Sequence, residues 1–313
     1  MRVSICLLLV VLASGPAFAR ILVPDAVEGL EAAVDQRMLD LSGLLSPTAG
    51  ELKEKAGLVK ARGLLGSWSG TTDKAGLSAL AKALAATAKA GGDPDVAAAC
   101  GVLKSSLLAE GVARQGLAQA ARDLLLGDAA KAKMDAAIAK AAALFTPAAD
   151  EPDFGAAAKL IAKAVLSLDK VRVSVGKYLE KELADRDPYV TAEWPGVVFS
   201  APPGGSYATW FAEGALQIIG EQTSEQGDPH YILAASALDV SAPGEYPHPA
   251  NWAALRRYTG VVKDDQWQSL DGSMLLLVLT KKVAAGTFHF TAESPSSGVV
   301  AVTNGTFLVP FRP

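Results

Sequence analysis

Apolar positions along the chain follow two different periods, and the change falls near residue 188. From Asp25 to Asp187 they recur three and four residues apart, the spacing of one face of a helix. Leu77, Leu80 and Leu84 mark one such face; Ile161, Ala164, Leu168, Val171, Val175 and Tyr178 mark another. Glycine, proline and short polar connections interrupt the pattern, which predicts helices over 25–44, 48–65, 72–90, 94–109, 112–126, 128–145 and 154–185. Pro47 is placed to open the second helix, and Gly91-Gly92 to stop the third. Short connections between helices of this length favour antiparallel neighbours. A stack of helical repeats is the rival arrangement, but no motif recurs at a fixed period.

Beyond Gly196 the period becomes that of strands. Short apolar stretches at 197–200, 208–211, 215–221, 230–238, 258–263, 274–281, 287–292 and 299–309 alternate with turns, and one short helix is expected around Pro249–Arg257. The fold class that follows is α+β in separate domains. An N-terminal all-α antiparallel helical bundle (20–187) precedes an all-β antiparallel sandwich or barrel (188–313).

Composition sharpens this division. Residues 25–187 are rich in alanine and hold only four aromatics, Trp68, Phe145, Phe154 and Tyr178. Alanine is the best helix former but buries little area, so its helices must approach closely to build a core. The β half carries all three histidines, and its 6 basic against 11 acidic residues give it a negative balance. With a formal net charge of −4, the chain lacks the basic surplus that drives binding to nucleic acid.

Residues 1–19 read as a signal peptide. Arg2 is followed by the apolar run Ser4–Ala13 and the small-residue cleavage motif Ala17-Phe18-Ala19. That run is shorter than the roughly 20 residues needed to span a bilayer. The mature chain is expected to start near Arg20, exported, with no transmembrane segment. Pro16 stands where a lipid-bearing cysteine would be, so no lipid anchor is expected. Cys6 leaves with the signal, and Cys100 remains as a lone thiol, read as a small buried apolar residue.

Three C-terminal stretches carry a resemblance. They are Gly272-Ser273-Met274 with the apolar run after it, Gly286-Thr287-Phe288-His289-Phe290-Thr291-Ala292, and Thr303-Asn304-Gly305-Thr306-Phe307. Together with Gly244-Glu245-Tyr246 they resemble an uncharacterised family of exported bacterial β-domains ending in G-T-F-x-F-x-A and T-x-G-x-F. The similarity covers about 194–311. It implies an exported β-domain with no assigned activity or catalytic residues. Many members are lipid-anchored, from which Pro16 departs.

Catalytic patterns are missing from the sequence. His230 and His248 lie in proline-flanked stretches without metal-ligand spacing, and no cofactor motif is present. Gly66-Ser67-Trp68-Ser69-Gly70 has tryptophan where a nucleophile elbow needs serine. Asp264, Asp265 and Asp271 read as turn residues. The stretch richest in contact-forming residues is 241–271, which gathers Tyr246, His248, Trp252, Arg256, Arg257, Tyr258 and Trp267. Aromatics and arginine dominate contact surfaces, though the same aromatics could instead cap the β core.

The function these features suggest is that of an exported, non-catalytic binding or scaffolding protein. Its partner would be an envelope or extracellular protein, a glycan or a small apolar ligand. One rival is a carrier barrel with a pocket lined by Phe211, Ile218, Leu276 and Phe288. Another is an extracellular hydrolase using paired carboxylates.

Overall fold

The structure, a computed structural model, describes residues 16–91, 93–222, 229–247, 252–259 and 261–312, with side chains from Val23 onward. N-terminal helices precede a C-terminal antiparallel sheet that curls into a half-barrel, an α+β layout. The described helices are α1 (Pro16–Ser42), α2 (Ala49–Gly66), α3 (Lys74–Ala90), α4 (Pro94–Asp123), α5 (Asp128–Ala142), α6 (Phe145–Asp150) and α7 (Phe154–Glu182). The strands are β1 (Tyr189–Trp194), β2 (Val197–Ala201), β3 (Ser206–Ala212), β4 (Ala215–Glu221), β5 (Pro229–Ala237), β6 (Glu245–Pro247), β7 (Ala254–Thr259), β8 (Val262–Leu279), β9 (Val283–Ser294) and β10 (Gly298–Pro310). The chain forms two compact units, one of Met1–Gln119 with Lys133–Val171, the other of Ala120–Ala132 with Arg172–Pro313.

In the first unit, polar side chains fix the helix starts. Thr48 caps α2 in a reciprocal box, accepting from the Glu51 N–H at 3.2 Å while its own N–H donates to the Glu51 carboxylate at 2.6 Å. The helix therefore begins after Thr48, and Pro47 stays outside it. Asp73 caps α3 through the Gly76 N–H at 2.8 Å, and Asp153 caps α7 through the Ala156 N–H at 2.8 Å.

The break expected between 109 and 112 does not occur, because α4 runs unbroken through Gly111. That glycine makes room for a ring rather than a turn: a Cβ there would lie 2.4 Å from Phe145 Cε1. Gly155 likewise lets α7 approach Ala85, whose Cβ a side chain at 155 would meet at 2.6 Å. Such close approaches compensate for alanine's small area and bury Leu30, Leu80, Leu84, Leu103 and Ile161 completely.

By length and composition α4 could cross a membrane, its best window reaching a hydropathy of 1.4 with 39% buried inside the protein. It also carries the charged centre of this unit. Arg114 donates to Glu110 at 2.8 Å, to Asp169 of α7 at 2.8 Å and to the Thr72 hydroxyl at 2.9 Å, and Thr72 in turn donates to Glu110 at 3.0 Å. Every member has a partner, so the burial of this charge is compensated.

The sheet of the second unit runs in the order β2-β1-β10-β9-β8-β7-β5-β4-β3, with β6 beside β8. Strand β1 has no counterpart among the expected strands, and its core positions Val190 and Ala192 alternate with half-buried ones. The inner face of the sheet carries Phe199, Ile218, Leu233, Leu255, Trp267, Leu276, Phe288, Phe290 and Phe307 in one core. The curl needs Gly220, where a Cβ would sit 3.0 Å from both Phe199 and Val190.

Strand β8 is unusually long and carries two irregularities against β9, at Ser269/Asp271 and Leu276/Val278. The second leaves Leu277 out of the ladder. Buried Arg172, in the last turns of α7, donates Nε to the Leu277 carbonyl at 3.1 Å and Nη2 to that of Leu276 at 2.8 Å. Alternating residues at 171–175 also suit a strand, but the segment is helical, and it lies on β8 with Gly176 against Val278 and Thr280.

At the other edge of the sheet, Phe311 bridges β3 at Ala208 in parallel, and the Arg312 N–H donates to the Ala208 carbonyl at 2.9 Å. Phe311 stacks flat on Trp210 with ring centroids 5.6 Å apart, and the Arg312 guanidinium lies 3.8 Å above the Tyr207 ring.

Candidate functional site

The structure divides the aromatic and arginine-rich constellation instead of gathering it. The helix expected around Pro249–Arg257 is not formed where the chain is described, since Ala254–Thr259 is strand β7. Hydrogen bonding to β5 and β8 on both sides outweighs the local helical spacing. In a strand, successive side chains point to opposite faces. Arg256 and Arg257 are thereby separated.

Trp267 pairs with Leu255 on the inner face and is buried; among the described residues its indole N–H has no acceptor. Tyr246, on β6, turns its hydroxyl back to the Ala242 carbonyl at 2.5 Å. Trp252 packs against Phe211 with centroids 5.5 Å apart. His248 lies outside the described residues. The four side chains expected to line a carrier pocket are also separated. Ile218, Leu276 and Phe288 are packed in the core, whereas Phe211 is 47% exposed.

Two polar groupings result in the second unit. The first is at the inner rim. Asp264 and Asp265, expected in a turn, belong to β8, where Asp265 faces Arg257 of β7. The buried Asp265 carboxylate accepts from the hydroxyls of Ser294 at 2.5 Å and Ser296 at 2.8 Å, from the Gln266 N–H at 2.8 Å, and from the Ser297 hydroxyl. Burial raises its pKa, but these four donors outweigh that and hold it at about 2. A carboxylate held so firmly ionised is a poor proton acceptor; its part is to fasten the β9–β10 turn to β8. Asp264 accepts from the Thr259 hydroxyl and lies 4.0 Å from Arg257.

The second grouping is on the outer face of β3, β4, β5, β7 and the first half of β8. His230 pairs with Tyr258, Ile232 with Arg256, Arg256 with Gln266, and Tyr258 with Lys263. His230 and Tyr258 are stacked, with centroids 5.4 Å apart and planes at 17°. Lys263 Nζ donates to Gln266 Oε1 at 2.9 Å. Arg256 is exposed and makes no hydrogen bond or ion pair with any described residue. Further along the face, Tyr207 donates its hydroxyl to Glu221 at 3.2 Å beneath Arg312. Burial, together with the nearby Glu221 charge, raises the Tyr207 pKa.

Of the residues singled out in sequence, Arg256 and Tyr258 thus share one surface, and His230 and Lys263 join them. The signal for His230 was parity. His230 and Ile232 on one strand, and Arg256 and Tyr258 on the next, all alternate away from the core residues Leu233 and Leu255. Among the described residues no three of His, Cys, Asp and Glu gather closely enough to hold a metal ion. The stretches carrying the resemblance lie on β6, β8, β9 and β10 and supply core and ladder positions rather than this surface. No family model, curated protein or solved structure matches the chain.

Proposed function

We propose that the chain is an exported, non-catalytic binding protein that meets its partner through the outer face of β3–β5, β7 and β8. The observation that carries this reading is Arg256. It is an exposed arginine with no described intramolecular partner, set on a rigid three-strand frame beside the stacked His230–Tyr258 pair. Fold stability gives no reason for this arrangement, whereas arginine next to an aromatic ring is a recurrent contact pair.

Export rests on the signal-like residues 1–19. N-terminal sequencing of material from a secretion-competent host should find a chain starting near Arg20, in the envelope or medium. For the binding face, the test is Arg256→Ala combined with Tyr258→Ala, screened against glycan and envelope-protein arrays. Loss of wild-type binding with unchanged thermal unfolding is the expected result. Binding unaffected by both substitutions would remove this face from the function.

A further inference from the structure

We infer that this outer face takes an acidic polysaccharide. The inference rests on the reading of the face as the contact surface and adds the chemistry of what it contacts.

Charge is the first argument. The β half of the chain is acidic, with 6 basic against 11 acidic residues, yet this face collects Arg256, Lys263 and Arg312. Against these three cations the face sets Glu221, which keeps its charge while accepting from the Tyr207 hydroxyl, whereas Asp264 lies beside Arg257. Arg256 is left to supply a planar donor fork to an anionic group from outside, the geometry that suits a carboxylate or a sulfate ester.

Shape is the second. Five adjacent strands at about 4.8 Å spacing give a surface about 19 Å across. That suits an extended chain lying over the sheet. The side chains also have the mixed character a sugar needs. The stacked His230–Tyr258 rings offer an apolar plane, the Arg312 guanidinium lies over the Tyr207 ring, and Gln266 and Lys263 offer hydrogen bonds to hydroxyls. An acidic peptide would use the cations but has no need of the stacked His230–Tyr258 rings.

The experiment is isothermal titration of the full mature chain with polygalacturonate, with a neutral glucan of similar length and polyglutamate as comparisons. Polygalacturonate should bind best and weaken as salt rises from roughly 50 to 300 mM. Arg256→Ala should weaken it about tenfold or more, the loss of one charge-assisted contact, and Lys263→Ala should weaken it further.

No measurable binding of polygalacturonate by the wild-type chain overturns the inference. Equal binding of the neutral glucan, still sensitive to Arg256→Ala, overturns the acidic requirement and leaves the face standing. Preference for polyglutamate makes the partner an acidic protein and also overturns it. A polysaccharide that binds with no sensitivity to Arg256→Ala or Tyr258→Ala sinks the face itself.

Discussion

Replacing Asp265 by asparagine should change stability in a way that depends on pH, with a size set by the serine cluster. The folded chain holds this carboxyl at about 2, against an ordinary value of 3.8. At 1.36 kcal/mol per unit, that difference is worth about 2 kcal/mol of folding stability. Because the folded pKa is the lower one, the contribution is complete above the ordinary value. It is lost as pH falls through 3.8 towards about 2. Asp265→Asn removes it at every pH. Urea denaturation, followed by the fluorescence of buried Trp194 and Trp267, should therefore show wild type about 2 kcal/mol more stable than the variant near pH 6. The gap should close as pH approaches about 2. Comparing the two proteins cancels every other carboxylate they share. A gap that keeps its size across that window would refute the assignment, because the hydroxyls would then be supporting the fold without favouring the ionised form.

Arg172→Leu should destabilise the β unit by about 2–3 kcal/mol in the same assay, since it leaves the Leu277 carbonyl without its charged donor. Gly286→Ala should lower the thermal midpoint, because the new methyl would lie 2.0 Å from the Leu275 carbonyl oxygen and force β8 from β9 at an expected cost of about 1–3 kcal/mol or more. Gly63→Ala, in an exposed helical position with nothing within 4 Å, should do the opposite and stabilise by about 0.5–1 kcal/mol. Cys100, buried against the Thr87 hydroxyl at 3.2 Å and with its thiol pKa raised by burial, should resist a disulfide reagent in the native state and react once urea opens the bundle.

Period alone disclosed the division into helices and strands, because apolar spacing reports which face is buried. It misjudged places where local chemistry and tertiary contact disagree. Gly111 looked like a stop, yet its missing side chain is what admits the Phe145 ring. Trp252–Arg257 had helical spacing, but strands on both sides claimed the backbone. Asp264 and Asp265 looked like turn residues, because nothing near them announces the serines at 294–297 that make a buried carboxylate tolerable. Composition changes near 188, but it gives no sign that Arg172, sixteen residues earlier, will satisfy a β8 bulge. The outer surface was half legible. Arg256 and Tyr258 stood out by residue type, whereas His230 and Lys263 required the register.

The two residues Phe311 and Arg312 have a consequence for shelf life. They lie along the rim of β3, where the Arg312 N–H occupies the Ala208 carbonyl. Without that contact the strand would present its rim to neighbouring molecules, the template on which copies zip together into fibres. Solubility in storage should then follow this contact more closely than the strength of either core.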